Sequence, residues 1–80
     1  MSEKADKPLS FGERAVGLSF NPSGDENINH IKKLYAQIID FCSDARDDTT
    51  DGEKKRLWSV AITEAQTAQM WAVKAITWQS

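Results

Sequence analysis

A stretch without glycine or proline, residues 53–78, carries its apolar side chains on two separate sides of a helix. We predict a helix over residues 51–77, with Thr50 or Asp51 as its N-cap. Its first sector is a row of alanines with larger residues beside it: Leu57, Trp58, Ala61, Ile62, Ala65, Ala68, Ala72, Val73, Ala75 and Ile76. Its second sector holds Val60, Trp71 and Trp78. One partner helix can cover only one of these sectors.

A second amphipathic helix is predicted over residues 25–46. Its apolar residues recur at spacings of three and four: Ile28, Ile31, Leu34, Tyr35, Ile38, Phe41 and Cys42. The two helices predict an all-α fold, an antiparallel two-helix hairpin. Because the hairpin leaves the Trp71 sector uncovered, we expect a helical homo-oligomer. The alternative is an N-terminal arm that folds back over this sector.

The N-terminal part divides into a flexible leader, residues 1–10, and an arm that opens the single domain of residues 11–80. The leader is polar and has no apolar period. In the arm, Val16, Leu18 and Phe20 alternate and two glycines interrupt the pattern, which favours an extended segment over residues 11–20. An arm that is extended or short-helical is therefore expected before the turn at Pro22.

Composition excludes several classes of function. The net charge of -2 gives no electrostatic footprint for DNA or RNA polymers. The sequence has no apolar run long enough for a membrane span or an export signal, so we expect a cytoplasmic location. Cys42 is predicted to be a buried hydrophobe, His30 a solvated side chain, and the acidic residues near Asp47 a turn. No nucleophile, metal set or cofactor motif appears, so an enzyme is not expected.

Binding residues are predicted around the turn and along the second helix. Phe20 could stack on a base, and Asn21 and Ser23 precede a helix N-terminus that suits an anion. Asn29 and Lys32 lie at the border of the apolar face, whereas Lys33 points to solvent. A polar stripe on the second helix contains Arg56, Thr63, Thr67 and Lys74. Spacing alone equally allows Phe20 to be a core residue and Lys32 a surface lysine.

These motifs resemble the helical-hairpin domain of phage anti-defence sponge proteins. The similar segments are Gly17-Leu18-Ser19-Phe20-Asn21-Pro22-Ser23-Gly24-Asp25, Asn29-His30-Ile31-Lys32, Ala61-Ile62-Thr63-Glu64-Ala65-Gln66 and Gln69-Met70-Trp71-Ala72-Val73-Lys74-Ala75. The family includes sponges that counter cyclic-oligonucleotide-based antiphage signalling (CBASS) and the anti-Thoeris sponges. The resemblance covers residues 11–78 and implies a homohexamer that captures cyclic nucleotides without cleaving them.

The resemblance also implies site residues. Anti-CBASS members hold cyclic dinucleotides between protomers with an arm aromatic and a first-helix lysine, which here match Phe20 and Lys32. Some members bind cyclic trinucleotides at separate sites with an arginine that matches Arg56. Antiparallel pairing places Lys32 and Arg56 about 16 Å apart along the hairpin, which allows two pocket classes.

Three other functions remain open. A sponge for cyclic ADP-ribose-type Thoeris signals is the lesser possibility, because the anti-Thoeris relatives carry a further N-terminal domain that this sequence lacks. A structural or adaptor oligomer would use the Trp71 sector to bind another protein. An enzyme that hydrolyses the messenger would need ligands and a nucleophile that the sequence does not offer.

Overall fold

The computed structural model describes residues 8–79. Within these residues three helices follow one another: α1, Phe11–Ala15; α2, Glu26–Asp48; and α3, Gly52–Thr77. Within the described range there is no strand. α2 and α3 form an antiparallel hairpin, and α1 packs on α2. The predicted all-α hairpin is confirmed, whereas most of the predicted leader, residues 1–7, lies outside the described residues.

The two long helices begin at aspartate caps. The Asp25 side chain accepts a hydrogen bond from the Asn27 N–H, and the Asp51 side chain accepts from the Glu53 and Lys54 N–H groups. Each carboxylate also lies at the positive end of its helix dipole. Asp51 is thus the cap of α3, and both helices lie within about two residues of their predicted bounds.

The prediction that residues 11–20 are extended is wrong at residues 11–19, which form a short helix and a turn. Ser10 caps α1 through a capping box: its Oγ accepts from the Glu13 N–H, and the Glu13 carboxylate accepts from the Ser10 N–H. A turn at residues 16–19 follows, in which Gly17 has a φ of 65°. The short-helical form of the arm is the one adopted.

The core is small and lies where α1, α2 and α3 meet. Ile39 is completely buried, and around it lie Val16, Ala36, Cys42 and Ile62. Fully burying one such aliphatic side chain contributes about 1.5–3 kcal/mol. Trp58, Tyr35 and Leu18 cover the edge of this cluster. The arm thus supplies core residues, because Val16 is inside the cluster and Leu18 borders it.

Apolar side chains remain exposed on both long helices. On α3, Trp71 is 65% exposed and Trp78 is 67% exposed, so the alternative in which the arm covers this sector is wrong. The hairpin also leaves part of the apolar stripe of α2 uncovered, since Leu34, Ile38 and Phe41 are exposed. Leu57, assigned to the covered sector of α3, is exposed as well. The hairpin therefore covers less of its apolar surface than the pattern predicts.

The chain is thin in one direction. It measures 13 Å across its smallest dimension, close to the diameter of one helix with its side chains. A single layer has two open faces, which explains why apolar residues of α2 and α3 stay accessible. Among residues 8–79, no helix has both the length and the apolar character that crossing a membrane requires.

Candidate ligand-binding site

Asn21 organises the turn between the arm and α2. Its Nδ2 donates to the Asp25 carbonyl at 3.0 Å and to Asn29 Oδ1 at 3.1 Å. Its Oδ1 accepts from Ser23 Oγ at 3.0 Å and from the Gly24 N–H at 3.2 Å. These four bonds use the full capacity of the amide. Asn21 therefore shapes the turn in this conformation.

Lys32 is buried beneath the turn. Only 5% of the residue is exposed, and its ammonium donates to the Gly17 carbonyl at 2.9 Å and to the Phe20 carbonyl at 2.5 Å. Charged donors make short, strong hydrogen bonds to carbonyls. The ammonium has three donors, so one is left beyond these two carbonyls. Lys33, by contrast, is exposed.

Phe20 projects from the end of the arm. Phe20 is 72% exposed, and Lys32 Nζ lies 5.7 Å from the centroid of its ring, within cation–π range. Phe20 is therefore not a core residue. It borders an apolar cavity of about 170 Å³, which is also lined by Asn21, Pro22, Ser23, Ile28, Val73 and Thr77.

The N-terminus of α2 differs from the expected anion site. The Asp25 carboxylate occupies it and accepts from the Asn27 N–H at 2.7 Å. The Ser23 hydroxyl is engaged as well, because it donates to Asn21 and accepts from the Asp25 N–H at 3.2 Å. A second anion at this helix end would meet the negative charge of Asp25. In this conformation the Asp25 carboxylate therefore occupies the position at this helix end that the sequence predicts for an anion.

The polar stripe lies along α3. Thr67 Oγ1 donates to the Thr63 carbonyl at 3.1 Å, a bond within the helix. Lys74 is exposed, and its ammonium lies 5.7 Å from the Trp78 ring centroid. Lys74 therefore places a positive charge beside an exposed aromatic ring near the end of α3.

Arg56 forms an ion pair with Glu53 one turn before it. Arg56 Nη2 lies 2.7 Å from Glu53 Oε2, and both side chains are mostly exposed. The hydrogen bond to Arg56 lowers the pKa of Glu53, and the same bond raises the pKa of Arg56. The pair's small contribution to stability is thus present above the ordinary pKa of glutamate and is lost as pH falls through the lowered value.

The predicted residues fall into two groups. The first group surrounds the turn: Phe20, Asn21, Ser23, Asn29 and Lys32. The second group, Arg56, Thr63, Thr67 and Lys74, is spread along α3. Arg56 bonds to Glu53, Thr67 bonds to the Thr63 carbonyl, and Lys74 lies over Trp78. One chain therefore assembles the turn site but does not gather the α3 stripe into a pocket.

Sequence reasoning missed the residues that fasten the arm. Asp40 accepts from Ser10 and Gly12, and it lies on the α2 face that points to α1. Two signals were readable: the Ser10–Glu13 spacing of a capping box, and an aspartate interrupting the apolar period beside Ile39. Val73 and Thr77 at the cavity were missed because only the antiparallel pairing brings them to the turn.

A family model described as the Acb2/Tad1 hairpin domain matches residues 13–77, which is most of the chain. The chain belongs to this family of anti-CBASS and anti-Thoeris sponges. The matched range includes the turn, both long helices and every predicted site residue. Acb2/Tad1 sponges bind signalling molecules without cleaving them. No curated protein and no solved structure matches the chain.

Proposed function

We propose that this protein is a phage anti-defence sponge that binds cyclic dinucleotides and withholds them from CBASS effectors. The observation that carries the proposal is the exposed Phe20 ring, fixed beside an apolar cavity and above a buried ammonium. An exposed aromatic ring offers a stacking surface for a base, which contributes about 1–3 kcal/mol. The apolar cavity beside it has room for a flat ring system.

Lys32 supplies the positive charge of this site. Two of its donors hold the carbonyls of Gly17 and Phe20, and the third is free to meet a phosphate oxygen. A charge-assisted contact of this kind contributes about 1.5–3 kcal/mol. Asn29 completes the site, because its side chain is exposed at the edge of the site. The Asn29 amide nitrogen makes no hydrogen bond to the described residues.

Sequestration needs affinity and stoichiometry rather than chemistry. A sponge lowers the free messenger by mass action, so its capacity is set by the number of sites. Expression in the infected bacterial cytoplasm would place those sites where the messenger is made. The phage then evades immunity because the effectors stay below their activation threshold.

A homohexamer fits the exposed apolar surface. Leu34, Ile38 and Phe41 on α2, with Trp71 and Trp78 on α3, are rich in the aromatic and aliphatic groups that interfaces bury. In such an assembly a neighbouring protomer would bring its polar stripe toward the turn site. Thr63, Thr67 and Lys74 would then contact ligand across the interface.

Arg56 belongs to a second proposed site. It lies near the start of α3, at the end of the hairpin away from the Asn21 turn. The family resemblance assigns a cyclic trinucleotide to this residue. The exposed Glu53–Arg56 pair is easily broken, because surface pairs contribute little free energy. A phosphate could therefore replace Glu53 as the partner of Arg56.

The decisive experiment is retention followed by release. The protein is incubated with a panel of cyclic di- and trinucleotides and with a cyclic ADP-ribose, desalted, heat-denatured and analysed by mass spectrometry. Intact cyclic dinucleotide supports the proposal, and intact cyclic ADP-ribose supports a Thoeris-type sponge. A cleaved product indicates an enzyme. No retained nucleotide supports an adaptor oligomer.

A further inference from the structure

Asp40 lies where α1 meets α2, outside the residues proposed to bind ligand. Its Oδ1 accepts from the Gly12 N–H at 2.7 Å, and its Oδ2 accepts from Ser10 Oγ at 2.7 Å. Both oxygens of one carboxylate thus bind the first turn of α1, a helix that begins 29 residues earlier in the chain. Hydrogen bonds to a charged acceptor are stronger than those between neutral groups.

The backbone around Gly12 requires a close approach. A Cβ built on Gly12 would collide with the Ala36 carbonyl oxygen and would lie 2.8 Å from Asp40 Oδ1. Glycine therefore allows α1 to rest directly on the α2 backbone, and the Gly12 N–H then points into the carboxylate. This contact is specific in both position and direction.

The arm is held to α2 at two points. Asp40 binds its beginning at Ser10 and Gly12, and Lys32 binds its end at Gly17 and Phe20. Between these points Val16 packs in the core, and at the far end Lys32 reaches the arm through a long, flexible side chain. Two points fix its direction, and with it the place where Phe20 leaves the arm.

We propose that Asp40 is a positioning residue, which docks the arm on α2 and thereby sets the position of Phe20. Only the consequence for ligand affinity rests on the function proposed above. If Asp40 acted only locally, its substitution would speed amide exchange at Ser10 and Gly12 alone. A positioning role predicts that the far end of the arm loosens, although no described bond joins Asp40 to residues 16–20.

The test measures exchange of the Val16, Leu18 and Phe20 amides by NMR in Asp40→Ala, with Asp44→Ala as the matched control. These amides bond to Gly12, Glu13 and Gly17 within the arm, so their protection reports the docked arm. Alanine favours helix more than aspartate, so neither substitution weakens α2 itself. We expect exchange about tenfold or more faster in Asp40→Ala and unchanged in Asp44→Ala.

Asp40→Asn provides the conservative rescue. Its amide oxygen can accept from the Gly12 N–H while its amide nitrogen donates to Ser10 Oγ, so its arm should exchange more slowly than that of Asp40→Ala. The proposal is overturned if the three amides exchange at the wild-type rate in Asp40→Ala. It is equally overturned if the α3 amides accelerate to the same extent, because the effect would then be global.

Calorimetry with cyclic GMP–AMP tests the consequence for binding. Asp40→Ala should bind about tenfold more weakly than wild type, with Asp40→Asn between them and Asp44→Ala unchanged. Unchanged affinity in an Asp40→Ala protein whose arm exchanges fast would overturn the positioning of Phe20. If the wild type binds no cyclic nucleotide, the function proposed above fails, and the amide exchange alone decides for or against Asp40.

Discussion

Lys32 carries its charge on the inner side of the arm. Its ammonium donates to the Gly17 and Phe20 carbonyls, and it also lies within cation–π distance of the Phe20 ring. One side chain thus orders the turn and gives the site its positive potential. Phe20 differs from it, because the residue is exposed and lies outside the core cluster.

We predict that Phe20→Ala and Lys32→Ala each weaken binding of a cyclic dinucleotide by about tenfold to a hundredfold. Calorimetry gives the affinities. Amide exchange separates the causes, because Lys32→Ala should also loosen the turn, whereas Phe20→Ala should not. Lys33→Ala is the matched control, since that side chain is exposed one residue away. Equal losses for Lys32→Ala and Lys33→Ala would refute the site.

Arg56 yields a prediction with a built-in control. Arg56→Ala should weaken binding of a cyclic trinucleotide while leaving dinucleotide affinity unchanged, because the two proposed sites lie far apart along the hairpin. Glu53→Gln removes the partner of Arg56 but keeps the guanidinium, so trinucleotide affinity should hold or rise. Titration of both ligands against both variants checks this. Loss of both ligands in Arg56→Ala would contradict separate sites.

The helices differ in how far sequence alone predicts them. α2 and α3 are long, so their apolar period repeats several times and their aspartate caps are readable. α1 has five residues, and contacts to Asp40, far along the chain, hold it in place. A local alternation of Val16, Leu18 and Phe20 could not reveal that contact. The turn residues were predicted as ligand groups, but their mutual hydrogen bonds depend on the docked arm.

At the scale of the elements, α1 docking depends on the absence of a side chain at one glycine. We predict that Gly12→Ala loosens the arm and lowers stability by about 1–3 kcal/mol, because its methyl group would overlap the Ala36 carbonyl. Gly52→Ala is the control: nothing lies near its Cβ, and alanine favours helix, so stability should be equal or higher. Thermal unfolding of both variants measures this. An arm that tolerates Gly12→Ala would contradict the close approach.

At the scale of the whole molecule, the hairpin is a single layer with apolar groups on open faces. The α3 stripe and the turn do not meet within one chain, so the pattern of one sequence identifies the residues but not their neighbours in an assembly. Leu34, Ile38 and Phe41 illustrate this, because a regular apolar period predicts burial and yet α3 leaves them exposed. The regular apolar period of α2 is accounted for if a second layer of protein covers these exposed faces.

The proposed assembly should be sensitive to a charge at one position. Trp71 is 65% exposed in the single chain, and interfaces commonly bury such aromatic groups at their centres. Trp71→Glu would place a charge there, so we predict that it disperses the oligomer without unfolding the hairpin, whose core does not include Trp71. Light scattering coupled to size exclusion should give a mass near six chains for the wild type and near one chain for the variant.

Asn27→Glu is the control, because it adds the same charge at an exposed site in the first turn of α2 and should leave the mass unchanged. A wild-type mass of 9.0 kDa would contradict the assembly, and with it the sharing of α3 polar groups between neighbouring sites.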